Sequence, residues 1–218
     1  MRSESTPAPA PRLQWADAAP RLRRFFAVWP DAAALTMTAR AAAAAARQAG
    51  GRATRTSNLH LTLAFVGEVS AKESELLQDI GAAAAAAAPP CVLTLDRVGS
   101  FADTGIVWLG TALPPPALAG LAAALGERLG AAGLHVERRP FRAHVTVARR
   151  CPRPVGEALA VPINWNVDAL TLVTSELRPD GPRYAIVKRW PLGVVQADRP
   201  ADELRRAGAR REGGDRVD

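Results

Sequence analysis

Two short stretches decide how this chain is read. The first is His60-Leu61-Thr62-Leu63, within NLHLTLAFV at 58–66. The second is His144-Val145-Thr146-Val147, within RAHVTVAR at 142–149. Alternating polarity of this kind is strand-like, and successive strand side chains point to opposite faces. His60 and Thr62 therefore share one face, with Leu61 and Leu63 on the other. His144 and Thr146 stand in the same relation to Val145 and Val147. The copies lie 84 positions apart, and each follows a helix-like segment and a short loop. That spacing suits two duplicated β/α lobes of similar size. With three histidines and 12 threonines among 218 residues, such a matched pair arises by chance on the order of 0.1% of the time.

The segments around these stretches have clear boundaries. LRRFFAVW at 22–29 reads as a strand that Pro30-Asp31 ends. The alanine-rich run 32–49 reads as a helix stopped by Gly50-Gly51. Ser70, with Glu73 three residues on, predicts a capping box and a helix to about residue 88, closed by Pro89-Pro90. Cys91–Val98 and Gly105–Thr111 read as paired strands. Pro114–Pro116 opens a third helix that ends near Ala132-Gly133. Residues 152–162 read as a proline-containing loop. Ile163–Ser175 and Tyr184–Trp190 read as a closing hairpin around Pro179-Asp180-Gly181-Pro182. Residues 1–20 are expected to be a disordered leader, 21–195 the folded domain, and 196–218 a disordered charged tail.

Composition narrows the function. Hydrophobic residues at 48% and charged residues at 22% are ordinary globular values, and no 18-residue apolar run is present. The N-terminus lacks the apolar centre of a secretory signal. Two cysteines, Cys91 and Cys151, are too few for a disulfide framework, so the expected compartment is the reducing cytoplasm. The net charge of +7 resides in 21–196, because both ends are charge-balanced. A basic core suits an anionic partner.

The paired motif suits phosphodiester cleavage. One neutral imidazole takes a proton from the attacking oxygen, and one imidazolium gives a proton to the leaving oxygen. The threonine hydroxyls and a nearby arginine hold the non-bridging oxygens, where charge builds in the transition state. His135 stands outside any such motif, and neither cysteine has a neighbour that would activate it. No metal or other cofactor is therefore expected, and residue physics alone does not say which histidine is the acid.

At these residues the sequence resembles the 2H phosphoesterase superfamily, and more narrowly the bacterial RNA 2′,3′-cyclic phosphodiesterases, or 2′-5′ RNA ligase-like proteins. The likeness runs through RLRRFFAVWPD at 21–31, NLHLTLAFVGEV at 58–69, LTLDRVGSFADTGIVWLG at 93–110, RPFRAHVTVAR at 139–149 and SELRPDGPRYAIVKRWPL at 175–192. The resemblance implies an α+β fold of two pseudo-symmetric lobes, with antiparallel sheets around a central groove and helices outside. It implies hydrolysis of an RNA terminal 2′,3′-cyclic phosphate to a 2′-phosphomonoester, with His60 as proton donor and His144 as acceptor. Reversible 2′-5′ ligation accompanies that activity in the family.

Thr62, Thr146 and Arg149 would hold the phosphate. Arg149 lies five residues past His144, on the wrong face of a regular strand, so a bulge or strand end must turn it back. Phe25 and Phe26 alternate on the first strand. One is expected in the core; the other, taken as Phe26, stands against a base or packs in the core as well. The family usually has proline before its second motif where this chain has Ala143. The implied partners are RNA ends, tRNA-like or oligoribonucleotide, with no membrane, no obligate protein partner and a monomeric state. The alternatives are a phosphodiesterase for a small cyclic phosphate, such as a nucleotide or ADP-ribose derivative, and a non-catalytic RNA-binding module.

Overall fold

A computed structural model describes residues 22–137, 139–178 and 181–193. The predicted leader and charged tail lie outside these residues, as do Pro179 and Asp180 of the predicted turn. The elements run β1 (Leu22–Val28), α1 (Ala32–Ala49), β2 (Arg52–Ala53), β3 (Leu61–Val69), α2 (Ala71–Ala87), β4 (Cys91–Phe101), β5 (Ile106–Gly110), α3 (Pro116–Ala131), β6 (His144–Arg149), β7 (Glu157–Val167), β8 (Ala169–Arg178) and β9 (Gly181–Pro191).

The strands form two antiparallel halves. One runs β3-β1-β8-β9, and the other runs β6-β5-β4-β7 with β2 against β6. They meet at one backbone pair, Leu61 with Val145, the middle residues of the two motifs. Both side chains are fully buried, each contributing about 1.5–3 kcal/mol. This pairing turns the histidines and threonines to the opposite face. Its antiparallel register sets His60 across from Thr146 and Thr62 across from His144. The fold is therefore α+β, with two halves related through the motif strands.

Local chemistry explains the helices. Asp31 caps α1 by accepting from the Ala34 N–H at 2.9 Å, and Gly50 closes it at φ 70°. Ser70 and Glu73 form the expected capping box on α2, worth about 1 kcal/mol. Pro116 starts α3. The helix α1 follows β1 in sequence but packs on β5, β6 and β7 of the other half, while α2 covers β1, β8 and β9.

The closing region differs from the expected hairpin. Ile163–Ser175 is not one strand. It divides at Asp168 into the end of β7, paired with β4, and the start of β8, paired with β1 and β9. The stretch 157–162, expected as loop, is strand. β7 is an edge strand, so Pro162 is tolerated where the ladder to β4 breaks between Leu95 and Arg97. Its exposed outer half lacks the apolar alternation that identifies a strand in sequence.

Candidate active site

A cleft of about 340 Å³ opens where the two motif strands meet. It is lined by His60, Thr62, His144, Thr146, Arg149 and Tyr184, among others. Four of the expected site residues, the two histidines and two threonines, thus come together as the strand parity requires.

Arg149 joins them by the route the sequence demands. The pairing of β5 with β6 jumps from Trp108–Thr146 to Val107–Ala148, so Val147 is an extra residue on β6. This bulge reverses the alternation, and Arg149 returns to the cleft. The first motif carries the same device at the same place. Phe26 pairs with Ala64 and Ala27 with Thr62, which leaves Leu63 as the extra residue on β3. A bulge at the fourth motif position is common to both strands.

Phe26 is a correction. Its side chain is fully buried among the core residues and does not line the cleft. It faces α2, where the missing side chain of Gly81 makes room. A Cβ there would lie 2.6 Å from the Trp190 ring and 2.9 Å from the Phe26 ring. Phe25 occupies the cleft side of β1 instead, and it packs on an imidazole rather than standing open to a base.

That imidazole is His60. Its ring stacks on Trp29 with centroids 4.9 Å apart. It lies 5.1 Å from Phe25 and meets Tyr184 edge-on at 5.0 Å. Trp29 is held in turn by its carbonyl, which accepts from Trp165 Nε1 at 3.1 Å across the two halves. His144 contacts one ring, the edge-on Phe101 at 5.3 Å.

The two imidazoles share one backbone device. Nδ1 of His60 lies 2.7 Å from the carbonyl of Asn58, and Nδ1 of His144 lies 2.7 Å from that of Arg142. A carbonyl only accepts, so Nδ1 carries the proton in each ring and Nε2 is left as the working nitrogen. Asn58 also donates its side-chain amide to the Pro182 carbonyl at 3.0 Å, which ties the first motif to the start of β9.

Burial lowers the pKa of His60 to about 4. The hydrogen bond to Asn58 opposes that shift, and the positive charges of Arg149 and His144 add to it. Burial raises the Tyr184 phenol, with Arg149 and Arg23 opposing. His60 is thus neutral at physiological pH in the protein alone.

The cleft is basic. Arg52, Arg55, Arg149, Arg150 and Arg178 line it, and none of its described lining residues is acidic. Among the described residues, no cluster of three His, Cys, Asp or Glu side chains is placed to hold a metal ion. No described helix is long and apolar enough to cross a membrane.

Sequence reasoning does not single out Trp29, Tyr184 or the arginines other than Arg149 as site residues. The only signal for Tyr184 is that it is the single tyrosine, and aromatic identity alone does not distinguish cleft from core.

Comparison with known proteins bears on this geometry. Residues 29–178 match the family described as the 2′-5′ RNA ligase superfamily. The chain is 37% identical over 147 residues to the RNA 2′,3′-cyclic phosphodiesterase of Escherichia coli K12, covering 65% of this chain and 80% of that one. It is 33% identical over 156 residues to the protein of the same name from Thermus thermophilus, covering 66% and 79%. The crystal structure of Escherichia coli LigT complexed with 3′-AMP superposes with a TM-score of 0.73 at 32% identity, over 80% of this chain and all of that one (100%).

Proposed function

The chain belongs to the 2′-5′ RNA ligase superfamily, and from that premise we propose that it hydrolyses RNA terminal 2′,3′-cyclic phosphates to 2′-phosphomonoesters by metal-independent acid–base catalysis. The carrying observation is the pair of imidazoles at one cleft, each oriented through Nδ1 by the carbonyl two residues before it, each with a threonine hydroxyl beside it.

In this reading Nε2 of His144 takes a proton from water as the water oxygen attacks phosphorus. Nε2 of His60 gives its proton to the 3′ oxygen as the P–O3′ bond breaks. Thr62, Thr146 and Arg149 stabilise the non-bridging oxygens. The product keeps its phosphate on the 2′ oxygen, and solvent resets both rings.

The donor role requires His60 to be charged, yet its surroundings in the protein alone keep it neutral. Burial is the main cause of that neutrality, with Arg149 adding to it; a phosphate anion bound beside the ring attracts the imidazolium and opposes both, so the donor's proton is taken up as substrate binds. Calorimetric titration with a 2′-phosphate nucleotide in buffers of different ionisation enthalpy measures that uptake. Binding without proton uptake would exchange the two roles, because a neutral His60 is already poised as the base.

The reading itself is tested by incubating the protein with EDTA and an oligoribonucleotide ending in 2′,3′-cyclic phosphate, followed by phosphorus NMR. The expected product is the 2′-phosphomonoester at an undiminished rate. Activity lost in EDTA and restored by zinc or magnesium would sink the metal-independent mechanism.

A further inference from the structure

The cleft extends past the histidines along β2 and the end of β6, where its construction is unusual. Arg149 and Arg150 are consecutive, and both line the cleft. A regular strand would send one of them away. Arg150 achieves this at φ 56°, the only described non-glycine residue with positive φ. Such a backbone is disfavoured for a side chain of this kind and persists only where its surroundings hold it. Here the Cys151 N–H donates to the Gly105 carbonyl at 3.0 Å, and the Arg153 N–H donates to the Ala49 carbonyl at 3.2 Å.

Arg52 is brought to the same end by a second constraint. It pairs with Arg149 across β2 and β6. The close approach depends on Gly51, where a Cβ would fall 2.2 Å from Cys151 Sγ and 2.8 Å from the Arg149 carbonyl oxygen. Three arginines therefore converge, although like charges repel. Their side chains make no hydrogen bond or ion pair with any described residue. Beside them Thr54 also lines the cleft, its hydroxyl oxygen buried and unpartnered. Strained backbone, a glycine-dependent approach and unpaired donors all point to an anionic ligand.

Arg149 is close enough to His60 to act on its charge, and it belongs with the reacting phosphate. Resting on the function proposed above, we propose that Arg52 and Arg150 form a second-phosphate subsite. It takes the phosphate on the 5′ oxygen of the terminal nucleotide, which in RNA is the linkage to the preceding nucleotide. The substrate recognised is then an RNA end of two or more nucleotides, and a free cyclic mononucleotide makes no use of the subsite. Planar guanidinium groups suit such a diester, since each donates two parallel hydrogen bonds to its oxygens.

Equilibrium binding of product-like ligands tests this without turnover. The ligands are a nucleoside 2′-phosphate, a dinucleotide ending in 2′-phosphate, the same dinucleotide with an uncharged methylphosphonate linkage, and a nucleoside 2′,5′-bisphosphate. The wild-type protein should bind the charged dinucleotide about ten-fold more tightly than the mononucleotide, and the methylphosphonate should lose that advantage. In Arg52→Gln and Arg150→Asn the ratio of the two affinities should fall toward one. Asparagine tolerates the left-handed backbone, and thermal unfolding checks that each variant is folded. A ratio unchanged in both variants, or a methylphosphonate bound as tightly as the charged linkage, would overturn the subsite. A bisphosphate bound more tightly than the dinucleotide would overturn its assignment to an RNA strand. A wild-type protein that opens no cyclic phosphate would instead defeat the catalytic reading, and the binding ratios would still stand or fall on their own.

Discussion

In the first motif His60 is walled in by Phe25, Trp29 and Tyr184, whereas in the second the one described ring against His144 is the edge-on Phe101. Five positions past each histidine, beyond matching bulges, stand Phe65 on one strand and Arg149 on the other. Arg149 lines the cleft, while Phe65 lies under the Arg23 guanidinium at 5.4 Å. The backbone is duplicated down to the bulge and the carbonyl on Nδ1. The surroundings are not, because the two halves place different side chains beside the two rings. A motif repeated in sequence can thus place two imidazoles in unlike surroundings.

Removing each ring has the largest expected effect. His60→Ala and His144→Ala should each lower kcat by about 10²-fold or more, the value of one positioned acid or base, with the fold intact. If steady-state assays on a cyclic-phosphate oligonucleotide find either variant near wild-type turnover, the two imidazoles do not share the reaction.

The enclosure of His60 should also appear in stability. Its pKa is about 4 in the folded protein against an ordinary 6.5, so between those values the unfolded chain binds more protons. The stability due to neutral His60 is complete above pH 6.5 and lost as the pH falls through 4. Denaturant unfolding at pH 7 and pH 4.5 should show the wild type losing roughly 2 kcal/mol more than His60→Asn. Equal losses would mean that the aromatic wall does not exclude the charge.

The threonines sharpen the symmetric part. Thr62→Val and Thr146→Val should each cost about 1–2 kcal/mol of transition-state stabilisation, for a lost hydrogen bond to a charged oxygen. The double variant should cost less than the sum, since in the proposed mechanism both hydroxyls serve one phosphate. Strict additivity in kcat/KM would place them on separate groups.

Salt dependence is the mildest probe. Each single-strand phosphate neutralised contributes about −0.7 to the slope of log K against log salt. KM for a cyclic-phosphate oligonucleotide should correspond to a slope of about −2 or steeper, and that for the mononucleotide to one nearer −1. Equal slopes would confine binding to the terminal phosphate.

Much of this architecture is legible in local signals. The helix bounds at Asp31, Gly50 and Ser70, the strand face shared by His60 and Thr62, and the need for a bulge before Arg149 all follow from rules acting within a few residues. Phe25 and Phe26 are not separable in that way. Alternation says that they face opposite sides, but which side is core depends on Gly81 and Trp190 far along the chain. The edge strand β7 escapes sequence reading for a related reason, since its outer residues are exposed and carry little apolar pattern.

Residue order alone specifies the helices and most strands, the duplicated motif and the pairing of each imidazole with a hydroxyl, because backbone periodicity and capping are local interactions. What surrounds each imidazole is set by packing in three dimensions. Trp29, Tyr184 and Arg149 reach His60 from segments scattered along the chain. Solvation and Coulomb fields depend on distance in space, which residue spacing does not encode.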